Sequence, residues 1–221
     1  IGKFRFGNTR FRTVSEVDWA NAWKQYFHVT HVGESLVIKP SWEEYEAKEG
    51  EHVIKIDPGM AFGTGTHHTT NMCMARLEKI LTKDDVVFDV GTGSGILAIA
   101  AALLGAKEVK AVDIDAVAVR VAQENIADNG LSDRIDVKEG DLLRGTEGKA
   151  DVIIANIIAD IIIMLLKDIP GKLEEDGIFL ASGIIKERQA DIEAAAKEVG
   201  MQVDHVDEKG GWVVMQMSKV K

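Results

Sequence analysis

The chain has 221 residues, 46% apolar and 28% charged, with a formal net charge of −10 at pH 7. This suits one full α/β domain with an appendage, excludes a disordered chain, and makes nucleic-acid phosphates poor partners, while a basic protein is a suitable one and plain solubility is an equal account of the charge. One cysteine, Cys73, excludes an intrachain disulfide and a thiolate cluster and fits a reducing cytoplasm, and no apolar run is long enough to span a bilayer or forms a signal-peptide pattern.

Residues 1–30 carry Lys3, Arg5, Arg10, Arg12 and Lys24 against Glu16 and Asp18, with Phe4, Phe6 and Phe11 between them. They read as a polyanion-binding arm or, as preferred here, as the edge of a further domain, and a first residue of Ile1 rather than Met fits a fragment. Trp19, Trp23 and Phe27 recur every four residues, one helix face that packs on the main domain. His28 and His31 have a spacing that a metal can share, but no third ligand is near, so they read as surface residues. Residues 35–39 and 53–56 read as short strands flanking a charged loop. The domain boundary is placed here, with 1–56 as N-terminal remnant, linker and small strands and 57–221 as the principal domain.

Asp57-Pro58-Gly59-Met60-Ala61-Phe62-Gly63-Thr64-Gly65-Thr66-His67-His68-Thr69-Thr70 follows, then a helix to about Leu81. Its glycines and threonines exceed what a helix cap needs and predict a flexible lid over a ligand. His67 and His68 read as a proton relay or, preferred, as capping residues.

Residues 86–90 are a β-branched run suited to a strand buried on both faces, and residues 96–104 continue as a buried helix. Between them, Gly91, Gly93 and Gly95 let backbone pass close to a ligand, and the helix start attracts an anion. A dinucleotide fingerprint counted from Gly91 needs its third glycine where Ile96 stands. Asp89 gives instead D-x-G-x-G-x-G. Its carboxylate repels a pyrophosphate and accepts from a cationic amino group, so a ligand with an amino-acid end fits. This pattern resembles the first motif of S-adenosylmethionine-dependent methyltransferases of Rossmann-like fold.

A second strand, 108–113, ends at Asp113, whose carboxylate is placed to reach ribose hydroxyls, and Asp115 caps the next helix, stopped by Asn129-Gly130. A third strand, 135–139, leads to Asp141, which reads equally as an acceptor for an adenine amino group or as a turn former. The aliphatic strand 151–155 is central and ends at Asn156; residues 157–166 form an apolar helix. A fifth strand, 177–181, ends at Ser182-Gly183, and an amphipathic helix covers 186–199. Residues 202–207 and 212–217 form an antiparallel hairpin. The expected fold is therefore α/β, a Rossmann-like seven-stranded mixed sheet closed by a C-terminal hairpin. Asp89, Asp113, Asp141, Asn156 and Ser182 gather along one edge.

Taken together, Asp18-Trp19, Trp23-Lys24, residues 36–42, the 57–70 segment, residues 89–98, residues 112–115, Asn156-Ile157 and Ser182-Gly183-Ile184 resemble the PrmA family of class I methyltransferases from about residue 16 onward. The resemblance implies methyl transfer from S-adenosyl-L-methionine to the α-amine and lysine ε-amines of a basic large-subunit ribosomal protein, with no metal and no direct contact with nucleic acid or membrane. It implies cofactor contacts from Phe62, Thr70, Gly91, Asp113 and Asn156, to which the motif reading adds Asp89, Gly93 and Asp141. It also implies a family N-terminal recognition domain of which this chain holds little. His68 stands where proline is common, as does Val29. Asn156 is the expected catalytic residue, accepting from the substrate amine; the N-P-P-Y form of this motif is absent, against amide acceptors. The alternatives are a methyltransferase acting on a small molecule or another protein, a cofactor-binding scaffold without turnover, and an NAD-dependent oxidoreductase.

Overall fold

A computed structural model describes residues 27–57 and 67–221. The basic arm, Trp19, Trp23, Phe62 and most of the glycine- and threonine-rich segment lie outside the described residues. The strands are β1 (Thr30–Val32), β2 (Leu36–Lys39), β3 (His52–Lys55), β4 (Val86–Val90), β5 (Glu108–Asp113), β6 (Ile135–Glu139), β7 (Ala150–Asn156), β8 (Leu173–Ile185), β9 (Met201–Lys209) and β10 (Trp212–Lys219). The helices are α1 (His68–Ile80), α2 (Ile96–Leu103), α3 (Ala116–Asp128), α4 (Ala159–Leu165), α5 (Ile169–Lys172) and α6 (Gln189–Glu198).

The main sheet has the order β6-β5-β4-β7-β8-β10-β9. Its first five strands are parallel, and β10 lies antiparallel between β8 and β9. The expected seven-stranded mixed sheet and terminal hairpin are present. The hairpin turn is only Gly210-Gly211, with φ of 61° and 79°. Left-handed values at both positions match the right-handed twist of a two-residue hairpin, so β9 runs on through Lys209.

Alternation along the strands splits the core in two. Val87, Val152 and Ile154 face the cluster under α1 and α2; Phe88, Val90, Ile153 and Ala155 face the cluster under α4 and α6. Both faces are covered, which is why β4 and β7 read as unbroken aliphatic runs. Each fully buried large side chain, such as Phe88 or Ile153, contributes about 1.5–3 kcal/mol. α2 is apolar all round and buried along nearly its whole length.

β8 is longer than expected. Leu173 pairs with Ala150 and Ile178 with Val152, so a bulge of extra residues lets the strand begin before the acidic run Glu174-Glu175-Asp176. The small strands also differ from the expectation. β1 precedes them, antiparallel to β2, while β2 and β3 pair in parallel. Their apolar residues Val32, Leu36, Ile38 and Ile54 belong to the same cluster as α1 and α2. Two polar clasps fix this sheet to the helices that pack on the larger one, at α1 and at the end of α3. The Glu78 carboxylate on α1 accepts from the amides of Glu34, Ser35 and Leu36 and from Ser35 Oγ at 2.7–3.1 Å. Asn129 accepts from the Lys55 amide and donates to its carbonyl.

No helix among the described residues is long and apolar enough to cross a membrane.

Candidate active site

A cavity of about 770 Å³ opens at the carboxyl ends of β4 to β8. Open α/β sheets bind ligands at this edge, where the strand order reverses between β4 and β7. Thr70, Gly91, Gly93, Asp113, Asp141 and Asn156 all line it. No lysine or arginine side chain does so among the described residues.

The glycine turn is organised from within. The amides of Gly91 and Thr92 donate to the Val112 carbonyl at 2.9 and 3.0 Å. The Gly93 amide donates to Asp113 Oδ2 at 2.9 Å, and Asp113 Oδ1 accepts from the Asp115 amide at 3.0 Å. These donors serve the tip of β5 and do not form the ring of amides that grips a diphosphate. Gly91 and Gly93 reach the cavity wall, but Gly95 has a different task. A Cβ there would stand 3.2 Å from the Ala122 Cβ, at φ +83°, so Gly95 permits α2 to pack against α3.

Asp89 lies behind the turn and does not line the cavity. It is 1% exposed, and its Oδ2 accepts from Thr92 Oγ1 at 2.6 Å and from the Ala98 amide at 3.1 Å. The pleat turns its side chain toward α2, tying the turn to the first turn of that helix. Its Oδ1 is buried with no partner among the described residues. Burial pushes its carboxyl up to about 6, against the hydrogen bonds from Thr92 and Ala98. The direct contact with a ligand ammonium expected from the motif is therefore not where the carboxylate points.

Asn156 ends β7, paired with Ser182 on β8. Its Nδ2 donates to Thr70 Oγ1 at 3.3 Å, and its Oδ1 is buried without a partner among the described residues. A buried acceptor left open costs about 1–3 kcal/mol, which a ligand donor removes. Asp141 is exposed, paired with Arg144 at 2.6 Å, and its carbonyl accepts from the Arg144 amide, so it does form a turn as well as line the cavity. Ser182 is fully buried, donates to the Val213 carbonyl and does not line the cavity.

His67 caps α1, its Nδ1 accepting from the Thr69 amide, in keeping with the capping expectation, and it also lines the cavity. His28 sits against Glu43, and His31 against Tyr45 and Glu51, at the surface. Among the described residues no three potential ligands are grouped to hold a metal ion. Cys73 is buried, which pushes its thiol up to about 12.

Several cavity residues were not singled out in the sequence. Leu142 holds a left-handed φ of 56°, a costly conformation for a side chain of its size, and backbone strain of this kind clusters at functional sites. Ile114, Ile158 and Met164 are 72%, 64% and 52% exposed at the cavity rim. Trp212 completes the wall beside His67. Large apolar side chains exposed around one cleft are the signal, and only the fold displays it.

Comparison with known proteins identifies the family. Residues 2–220 match the family described as ribosomal protein L11 methyltransferase (PrmA). The chain is 51% identical over 208 residues to the ribosomal protein L11 methyltransferase of Alkaliphilus metalliredigens, covering 94% of this chain and 65% of that one. It is 52% identical over 204 residues to that of Desulfitobacterium hafniense, covering 92% and 65%. It thus spans just under two thirds of the length of these curated relatives. The solved structure of a ribosomal protein L11 methylase from Lactobacillus delbrueckii subsp. bulgaricus superposes with a TM-score of 0.84 at 40% identity, covering 88% of this chain and all of that one. A putative RNA methyltransferase from Pyrococcus horikoshii, at 22% identity and a TM-score of 0.58, shares the fold. By sequence across nearly its whole length and by fold, the chain belongs to the PrmA family of ribosomal protein L11 methyltransferases.

Proposed function

We propose that this chain is the transferase part of an enzyme that moves methyl groups from S-adenosylmethionine to amines of a basic ribosomal protein of the large subunit. The observation that carries the reading is the buried Oδ1 of Asn156, without a partner among the described residues, at the wall of a cavity that none of their basic side chains lines. With the carboxylates of Asp113 and Asp141 on its wall and no cation among the described lining residues, the cavity disfavours a diphosphate, which sets aside NAD.

The residues present fit the cofactor. Asp113, already holding the Gly93 amide, has lone pairs left for ribose hydroxyls, and Asp141 offers an acceptor for the adenine amino group. Gly91 and Gly93 let the chain approach the amino-acid end, Thr70 supports Asn156, and Asp89 acts by shaping the turn. Phe62 is a further proposed cofactor contact, carried by the family resemblance alone. Bound there, S-adenosylmethionine supplies a methyl group on a sulfonium, an electrophile for an amine.

The protein's work is positioning and desolvation. A lysine amine reaches the site as an ammonium, with an ordinary pKa of about 10.4. A largely apolar lining disfavours that charge, so the proton leaves to water as the amine enters. Asn156 Oδ1 accepts one N–H and turns the lone pair inward. A neutral amide is preferable to a carboxylate here, because a carboxylate would hold the amine as its cation. Residues 57–221 form the transferase domain in this reading, with β1–β3 of the 1–56 segment bracing α1.

Calorimetry with S-adenosylmethionine, S-adenosylhomocysteine and NAD tests the cofactor; binding of the first two and not the third is expected. Transfer of labelled methyl to purified ribosomal protein and not to small amines tests the substrate. Binding of NAD alone sinks the reading, and labelling of small amines alone replaces the protein substrate with a small molecule.

A further inference from the structure

The segment Ser182-Gly183-Ile184 takes no part in the steps above, yet it is built against the peptide that follows Asn156. The register of β8 slips here: Ile184 pairs with Val213 and Ala181 with Met215, so Ser182 and Gly183 together oppose Val214. Bulges of this kind lie beside active sites, where they re-aim a side chain. Gly183 holds φ +81°, and a Cβ on it would stand 2.3 Å from the Ile157 carbonyl oxygen and 2.9 Å from the Ile157 nitrogen. Both atoms are backbone, so no change of rotamer relieves the overlap. The Ile157 amide donates to the Ser182 carbonyl at 3.0 Å, and Ser182 Oγ donates to the Val213 carbonyl at 3.1 Å, which ties the bulge to β10. The glycine turn closes in from the other side. A Cβ on Gly91, at φ +71°, would stand 2.4 Å from Ile157 Cγ2. Ile157 therefore sits in a slot with a glycine on each side, its backbone against β8 and its Cγ2 against the turn after β4.

Resting on the function proposed above, we infer that Gly183 is a positioning residue for methyl transfer: the slot it forms with Gly91 sets, through Ile157, where the Asn156 oxygen stands relative to the methyl donor. Asn156 and Ile157 share a peptide bond, so a shift of one carries the other. The bond from Asn156 to Thr70 settles which way the amide faces, but not how far the end of β7 reaches into the cavity. The slot settles that reach. Gly91 also belongs to the turn that meets the cofactor, so Ile157 is a spacer between the donor's turn and the acceptor amide. A Cβ at position 183 would push the Ile157 peptide back by about 1 Å, a displacement large enough to misalign reacting groups. It would not touch the glycine turn itself, so cofactor binding is spared.

The test follows three quantities in the full chain: kcat with purified ribosomal protein, affinity for S-adenosylhomocysteine by calorimetry, and the NMR signal of the Asn156 side-chain amide, assigned by its loss in Asn156→Ala. Gly183→Ala is expected to lower kcat about 10- to 100-fold, to move the Asn156 signal, and to leave the affinity near the wild-type value. Because Gly183 acts through Asn156, the double variant Gly183→Ala with Asn156→Ala is expected to turn over little more slowly than Asn156→Ala alone. Ile157→Ala removes the spacer without left-handed backbone strain and is expected to follow the same pattern, while Ile157→Val keeps the methyl that meets the turn and most of the rate. This pair carries the test where Gly183→Ala does not fold. Losses that multiply in the double variant, an unmoved Asn156 signal, affinity that falls as far as kcat, or wild-type turnover in Gly183→Ala or Ile157→Ala overturns the role of the slot alone. Failure of the wild type to bind S-adenosylhomocysteine or to methylate the ribosomal protein overturns the underlying function instead.

Discussion

Asn156 Nδ2 donates to Thr70 Oγ1 across 3.3 Å, joining the end of the central strand to the first turn of α1, 86 residues earlier in the chain. The bond fixes which way the amide faces and so aims Oδ1 away from Thr70. Asn156→Ala is expected to lower kcat for methyl transfer about 100-fold by losing this alignment. Thr70→Val removes the orienting partner and costs about tenfold, the worth of one hydrogen bond. In Asn156→Ala, affinity for S-adenosylhomocysteine falls far less than turnover. Steady-state rates beside calorimetry separate the two, and full turnover in Asn156→Ala refutes the assignment.

Asp89 gives a pH dependence of defined sign. Its carboxyl titrates at about 6 in the fold, against 3.8 ordinarily, because burial disfavours the charged form. The native state therefore holds the proton more tightly than the unfolded chain. The contribution to stability is fully present below pH 3.8 and is lost as pH rises through 6. By pH 7 the ionised carboxylate costs about 3 kcal/mol relative to a neutral group. Asp89→Asn keeps an oxygen to accept from Thr92 and Ala98 and removes the charge. Urea unfolding from pH 4.5 to 7.5 is expected to show the variant gaining on the wild type as pH rises. A constant difference across that range contradicts the assignment.

The parts legible in the sequence are those whose chemistry is local. The strand, glycine turn and helix from Val86 onward, the Asp115 cap and the hairpin all follow from spacing within a few residues, and all are present. Strand ends at Asp113 and Asn156 were readable because a polar residue closes an aliphatic run. Asp89 was not readable in the same way: the motif places it beside the turn, but only the pleat decides that it points beneath it. β1 is three residues long, too short for a period to show, and the parallel pairing of β2 with β3 depends on a connection that only the fold reveals. Trp212 and Met164 look like ordinary core residues until the cavity is seen between their elements.

Glu78 holds the β1–β2 turn by one carboxylate that accepts from three amides and a hydroxyl. Glu78→Ala strands those donors against α1 and is expected to cost about 2–3 kcal/mol. The loss falls first on the small sheet. Hydrogen exchange should show β1 and β2 opening well before β4, β5 and β7, which keep the wild-type protection. Equal acceleration across both sheets contradicts the role of Glu78 as a local clasp.

Asp113 is asked to do two things, and its substitutions separate them. Both carboxylate oxygens already hold backbone amides, Gly93 at 2.9 Å and Asp115 at 3.0 Å. Asp113→Asn keeps one acceptor and turns a donor toward the other amide, so the glycine turn loosens on one side. Asp113→Ala frees both amides at once. Each charge-assisted bond is worth about 1.5–3 kcal/mol, so the alanine variant is expected to bind S-adenosylmethionine at least 100-fold more weakly, and the asparagine variant about tenfold. The ribose contact adds a further discriminator. With a 2′,3′-dideoxy cofactor analogue, the wild type loses affinity and Asp113→Ala loses little more, because the partner is already gone. Equal additional loss in both proteins would show that Asp113 shapes the turn and leaves the ribose to other groups.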